Sequence, residues 1–319
     1  MKMFDVNTEI IPLLTGFAIY ANCLGPGLGA HSARKISPIT CRSNGCSGLH
    51  RRRSGAAVRH GAPRWTNLSC DGEFAAYVRF TDATLWRSKL DGSDRIQLTY
   101  PPWQVTVPHW SPDGKQIAFS GAKPGDPNRI YVIPAEGGSP EQISSGKSDL
   151  DPTWSKDGSA LMYGILPLPG DPEPAKIMLL DLKTRAVTQV AGSDGICCPR
   201  WSPDGRWVIA ISADNQKLVL LDMSTQKWRQ LADKIGTIGY MTWSRDSKYL
   251  GFDTSFTVDP AFFRVSPVDG QVARVVSLNN IRKFFPQWGE WSGLAPDGSP
   301  LLVRDISTQE IYALDWKLP

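Results

Sequence analysis

The amino-acid sequence predicts an all-β chain: a six-bladed β-propeller of four-stranded antiparallel blades, preceded by a largely unstructured N-terminal segment. Three observations carry this expectation. The phrase "PRWSPDGRW" (Pro199–Trp207) returns as "PHWSPDGKQIAF" (Pro108–Phe119), "PTWSKDGSALMY" (Pro152–Tyr163), "MTWSRDSKYLGF" (Met241–Phe252), "GLAPDGSPLLV" (Gly293–Val303) and, worn, "LSCDGEFAAYV" (Leu68–Val78). Its turn aspartates, Asp71, Asp113, Asp157, Asp204, Asp246 and Asp297, are spaced by 42, 44, 47, 42 and 51 residues, the period at which four-stranded propeller blades repeat. Between them the apolar residues run in strand-length stretches with no sustained 3.6-residue periodicity.

Each element follows from that phrase. Ser202, Pro203, Asp204 and Gly205 supply a turn opener, a pre-set φ, a local hydrogen-bonding carboxylate and a residue free to take positive φ, which together make a tight hairpin. Strands are expected at Val105–Ser111, Lys115–Ser120, Arg129–Pro134 and Glu141–Ser144 in the second unit, and at Ile196–Ser202, Arg206–Ser212, Lys217–Met223 and Trp228–Ala232 in the fourth. The strand after each hairpin is apolar on both faces (Ile117, Ala118, Phe119; Val208, Ile209, Ala210), as stacked blades require. Trp110, Trp154, Trp201 and Trp243 are read as the large plugs of that packing. Ser247 stands where the other units have glycine, and its replacement by glycine is expected to relieve a left-handed backbone and raise stability.

Two domains are expected, residues 1–66 and 67–319. Overall the chain is 41% hydrophobic and 21% charged, the range of globular proteins. Residues 1–67 carry nine Lys/Arg against two acids, and the remainder 26 against 29, so the repeats offer no basic face for nucleic acid. The run "IIPLLTGFAIYA" has the look of a signal core but is too short for a transmembrane span. From Gly25 to Arg64 the composition reads as loop, foreign to that of the repeats. Ring closure needs a strand from upstream, because "EIYALDW" is the last one supplied at the C-terminal end; "GAAVRHG" (Gly55–Gly61) is the candidate.

The phrases "PxWSPDG", "RIYVIPAEGG" and "TLWRSKLDGSDRIQLT" resemble the TolB-type repeats of bacterial six-bladed propellers, from about Asn67 to Trp316. The resemblance implies a non-catalytic module that recognises a protein or peptide, as periplasmic TolB-like propellers and the sensor portions of membrane-anchored regulators do. It implies a periplasmic or otherwise extracytoplasmic location, with the cytoplasm as the alternative; a monomer without cofactor is expected.

Strand direction places the short uniform hairpins on one face and the long varied loops on the other, and loops on a rigid scaffold are where binding usually resides. The candidate partner-binding residues on that loop face are Trp103, His109, Asp149, Asp151, Asp194, Arg200, Tyr240, Trp288, Glu290 and Trp291, a mixture of aromatics and single charges suited to a protein interface. No catalytic or metal-binding residue is assigned. No G-x-S-x-G elbow and no phosphate-cradling glycine loop occurs, and this argues against the propeller-gated peptidases. "CRSNGCSGLH" with His60 has only a loose zinc-ligand look, and Cys197–Cys198 could form a vicinal disulfide. The alternative function is a Ca-dependent propeller hydrolase or lactonase with a channel metal held by acids such as Asp151, Asp194, Asp259 and Glu290.

Overall fold

A computed structural model describes residues 8–12, 63–168, 170–233, 235–255, 257–283 and 291–305. The first described element is β1 (Thr8–Pro12). Five four-stranded antiparallel blades come after it. The first is β2 (Pro63–Leu68), β3 (Phe74–Arg79), β4 (Leu85–Lys89) and β5 (Ile96–Gln97); the second is β6 (Gln104–Trp110), β7 (Gln116–Ala122), β8 (Arg129–Pro134) and β9 (Glu141–Gln142). The third is β10 (Asp149–Trp154), β11 (Ala160–Ile165), β12 (Lys176–Asp181) and β13 (Val187–Gln189); the fourth is β14 (Ile196–Trp201), β15 (Trp207–Ser212), β16 (Lys217–Asp222) and β17 (Lys227–Asp233). The fifth is β18 (Thr237–Trp243), β19 (Leu250–Ser255), β20 (Ala261–Val265) and β21 (Val272–Ser277). A last sheet has β22 (Ser292–Leu294) and β23 (Pro300–Asp305) paired with β1.

The all-β propeller built of four-stranded antiparallel blades is therefore present, but the expectation of six such blades behind an unstructured leader is corrected. Among the described residues the last sheet has three strands in the order β1-β23-β22, and its outer strand comes from Thr8–Pro12, with Ile10 opposite Val303. An unpaired β23 would expose a row of N–H and C=O groups, and β1 satisfies one edge of it. The segment read as a signal-like run thus contributes a strand; "EIYALDW" and "GAAVRHG" lie outside the described residues.

The hairpin chemistry is as expected. Ser202 Oγ donates to Asp204 Oδ1 at 2.6 Å, Asp204 Oδ1 accepts from Arg206 N at 3.0 Å, and Gly205 N donates to Ser202 O at 2.9 Å with φ at 78°. The Ser–Asp contact recurs at Ser111–Asp113, Ser155–Asp157 and Ser244–Asp246. Behind the turns, Ile117, Phe119, Val208, Ile209, Leu250 and Phe252 are wholly buried between neighbouring blades. Core residues of the first blade (Trp65, Tyr77, Val78) share one cluster with Trp291, Leu301 and Val303 of the last sheet, so the stack goes round.

The repeat tryptophans do more than fill space. Trp110 Nε1 donates to Asn67 O, Trp154 Nε1 to His109 O and Trp243 Nε1 to Arg200 O, at 2.9–3.1 Å, each reaching the inner strand of the preceding blade. Trp201 differs: its Nε1 bonds Gly205 O in its own hairpin.

Candidate functional site

The inner strands β2, β6, β10, β14 and β18 each carry a bulge in which two residues oppose one on the neighbouring strand. In three blades the first bulge residue is in the left-handed region and a proline comes next: Val107–Pro108, Asp151–Pro152 and Cys198–Pro199, with φ of 45°, 59° and 58°. A left-handed β-branched or carboxylate residue is unfavourable by about 1 kcal/mol. Each of these bulges adjoins a residue of the polar network between blades, His109, Asp151 or Arg200.

There Arg200 joins three blades. Its Nη1 donates to Asp151 Oδ1 at 2.6 Å and to Pro199 O at 2.9 Å, its Nε donates to Met241 O at 3.2 Å, and its Cζ lies 4.8 Å from the centre of the Tyr240 ring. Tyr240 OH is 3.4 Å from His109 Nε2, which is 3.7 Å from Asp151 Oδ1, and the Tyr240 ring centre is 6.2 Å from that of Trp291. Asp151 N donates to Ser120 Oγ at 2.7 Å. Below them Asp253 Oδ1 accepts from Tyr240 N at 3.1 Å and Ser292 Oγ at 2.7 Å, while its Oδ2 is 3.9 Å from Lys283 Nζ.

The electrostatics arise from burial and pairing. Burial opposes ionisation of Asp151, but the Arg200 charge and the His109 contact outweigh it and hold the carboxyl below its usual range. Arg200, in turn, is held more firmly protonated by Asp151 despite its burial. Burial lowers the His109 pKa, which keeps the imidazole neutral. It pushes the Asp253 carboxyl up and the Tyr240 phenol up to about 12.

On the hairpin side of this network the channel opens into a cavity of about 460 Å³ whose lining comes from all the blades and the last sheet. Its mouth is made by hairpin residues such as Cys70, Pro112, Lys156, Pro203, Arg245 and Pro296, and its floor by Thr66, His109, Thr153, Arg200, Thr242 and Trp291.

Of the ten residues singled out from sequence, His109, Asp151, Arg200, Tyr240 and Trp291 come together, in the channel rather than on an exposed loop surface. Trp103 packs against Phe119 and Tyr131, Asp149 is buried and accepts from Gly146 N, and exposed Asp194 accepts from Gln189 Nε2; these three stand apart. Trp288 and Glu290 lie outside the described residues, as do the cysteines and histidines of the loose zinc pattern. The acids proposed for a channel metal do not meet: Asp151 is paired with Arg200, Asp194 with Gln189, and Asp259 with Arg274 and Asn279. Among the described residues no three His, Cys, Asp or Glu gather as metal ligands. The adjacent Cys197 and Cys198 are free thiols, with Sγ atoms 3.2 Å apart.

Sequence reasoning missed Thr66, Asp253, Lys283 and Ser292. Asp253 does not stand out in sequence, because its column, Val78, Ser120, Gly164, Ile211 and Arg304 in the other units, is mixed. The X-Pro pair two residues before the repeat tryptophan is a readable mark of the bulge.

No helix among the described residues is long and apolar enough to cross a membrane. No protein-family model matches the chain. It is 28% identical over 106 residues to YuxL, an uncharacterized peptidase of Bacillus subtilis, covering 30% of this chain and 16% of that one. It is 35% identical over 57 residues to the Tol-Pal system protein TolB of Syntrophus aciditrophicus, covering 18% and 13%. The chain thus spans a small part of these relatives. A solved structure of a protein assigned as TolB from Agrobacterium tumefaciens superposes with a TM-score of 0.63 at 19% identity, over 77% of this chain and 90% of that one. An oligogalacturonate lyase in complex with manganese superposes at 0.53 with 13% identity, over 75% and 69%. The fold is that of a TolB-like β-propeller, and the same fold is used by both a Tol-Pal protein and a lyase.

Proposed function

We propose that the propeller is a non-catalytic recognition module that takes a segment of a partner protein into the hairpin-side mouth of its channel. The observation that carries this reading is the axial cavity, about 460 Å³, assembled from every sheet and ending on a floor of buried polar side chains. Its volume falls within the range of about 300–1,000 Å³ typical of ligand pockets. Similarity to a protein of the Tol-Pal system supports a place in a multi-component assembly. An extracytoplasmic location rests on that resemblance alone.

The chemistry of the channel argues against the enzymatic alternative. The Asp151 carboxylate is committed to Arg200 at 2.6 Å, and a guanidinium at that point repels a catalytic cation. A buried ion pair of this kind holds structure; as a general base Asp151 would have to abandon it.

The test is photo-crosslinking with the full chain carrying p-benzoylphenylalanine in place of Thr242, which lines the cavity, or of Asp194, which lies on the loop side. A covalent protein adduct is expected from position 242 and not from 194; an adduct from 194 alone would move recognition to the loop face.

A further inference from the structure

Adjacent residues of a strand send their side chains to opposite faces, so neighbouring cysteines ordinarily keep their sulfurs apart. Cys197 and Cys198 do not. Both are free thiols in β14, and their Sγ atoms are 3.2 Å apart. The bulge is the reason: the register of β14 on β15 shifts between Cys197 and Arg200, and Cys198, with φ of 58°, turns its side chain back to that of Cys197. The other two left-handed bulges hold Thr106–Val107 and Leu150–Asp151 at the same place, so among these the fourth blade alone sets two sulfurs there.

The two thiols differ in reach. Cys197 is 2% exposed and packs in the core shared by the fourth and fifth blades, whereas Cys198 is half-buried. A reagent therefore meets Cys198 first, with Cys197 already in contact behind it. A disulfide bond is about 2.05 Å long, so closure needs an approach of only about 1 Å. The peptide between the two residues is trans and holds their Cα atoms about 3.8 Å apart, below the usual disulfide range of about 4.4–6.8 Å. A bond closed in so short a ring is strained and easily reduced, as a reversible site requires.

We infer that Cys197 and Cys198 are a reversible oxidative modification site that exchanges with low-molecular-weight disulfides, entered through Cys198 and closed by Cys197 into a vicinal disulfide. This does not depend on the recognition role proposed above. The Cys198 thiolate attacks one sulfur of the reagent, releasing one thiol and leaving a mixed disulfide on Cys198. Cys197 gives its proton to solvent, and its sulfur attacks Cys198 Sγ and expels the second thiol. Two electrons pass from the cysteines to the reagent, and two protons end on the two released thiols. The Cys197 thiol and burial push the Cys198 thiol up, while Arg200 draws it down. Exchange is therefore carried by a small thiolate fraction and quickens with pH.

The experiment incubates the reduced full chain with glutathione disulfide at pH 7 and pH 8, alkylates it with iodoacetamide in urea, and weighs the tryptic peptide Ala186–Arg200. The peptide is expected to be lighter than the dithiol by two hydrogens, with no alkyl group and no glutathione, and to return to the dithiol with dithiothreitol. It should form about tenfold faster at pH 8 than at pH 7. In Cys197→Ser the same peptide should keep glutathione on Cys198, because nothing is left to expel it; in Cys198→Ser buried Cys197 should take up far less. A glutathione adduct that persists on the natural chain would overturn the inference, since the two thiols would then not meet. So would a peptide alkylated twice from the folded chain when the urea-unfolded chain exchanges, which would make the pair closed to reagents. Faster uptake by Cys198→Ser than by Cys197→Ser would overturn the order of attack.

Discussion

The hairpin ends and the channel midpoint use the same kinds of polar residue in opposite ways. At a hairpin the recurring partners are near in sequence: Ser202 bonds Asp204 two residues on, and Trp207 N returns to Ser202 Oγ across five. At the midpoint the partners are distant: Arg200 and Asp151 are 49 residues apart, Ser292 and Asp253 are 39, and Tyr240 and His109 are 131. The turn of each hairpin closes on its own residues and so repeats with the phrase, with a single bond such as Asp204 N to Ser247 Oγ joining neighbours. The midpoint exists only once blades have come round a common axis, so its energetics report closure of the ring.

The sharpest test of that contrast removes one member from each region. Asp151→Ala leaves the Arg200 guanidinium buried without its carboxylate and is expected to destabilise by about 3–5 kcal/mol. The double variant Asp151→Ala/Arg200→Met should recover much of the loss, because no unmatched charge remains. Asp204→Ala, at a hairpin, should cost far less. Urea unfolding of the variants decides the matter; equal losses at the two positions would erase the distinction.

The two regions should also separate by pH. Burial holds the His109 pKa below the unfolded value of about 6.5, so the unfolded chain takes up a proton before the folded one. Stability from this group is present above that pH and is lost as pH falls through the folded pKa. His109→Gln should therefore gain on the natural chain between pH 7 and pH 5, by up to about 1.4 kcal/mol per pH unit. Asp253 has the opposite sign, since its raised pKa makes the folded state the better proton binder. Its contribution falls as pH rises above about 3.9, and Asp253→Asn should flatten that part of the profile. Urea midpoints measured from pH 4 to pH 7 test both; a constant difference between His109→Gln and the natural chain would mean that His109 titrates as if exposed.

How much of this was legible in the sequence depends on the same contrast. The hairpins, the apolar second strands and the strand limits could be read within one or two residues, because each rests on a phrase of about nine residues and on local backbone rules. Arg200, His109 and Asp151 could be picked out as polar residues beside the repeat tryptophan. Their meeting in the channel could not, since it depends on the bulge at Val107, Asp151 and Cys198 and on which blades face one another. The strand at Thr8–Pro12 was missed for a related reason: an edge strand is chosen by the edge it meets, here β23.

Between the two regions stand the repeat tryptophans, local in sequence, of which Trp110, Trp154 and Trp243 are bonded to the preceding blade. Trp154→Phe removes the indole donor to His109 O and should destabilise by about 1 kcal/mol or somewhat more, with one carbonyl of the channel strand left unmet. Trp201→Phe removes a bond within its own hairpin instead, to Gly205 O. If tryptophans stitch blades together, Trp154→Phe should cost more in urea unfolding than Trp201→Phe, whose bond lies within one hairpin; equal losses would remove the distinction.

The smallest effect is the most instructive about local reading. Ser247 has φ of 58°, as its place in the turn predicts, and relief of that conformation by glycine is worth about 1 kcal/mol. Its hydroxyl, however, accepts from Asp204 N of the preceding hairpin at 3.0 Å, a bond that glycine loses at a similar cost of about 1 kcal/mol. The expectation that Ser247→Gly raises stability is therefore corrected: the two effects offset, and Tm should move by no more than about 2 °C. Ser247→Ala keeps the strained backbone and loses the bond, so it should melt about 2–4 °C below the glycine variant. If Ser247→Gly melted well above the natural chain, the bond between hairpins would be worth little, and the turns would be as independent of one another as their repetition in sequence makes them look.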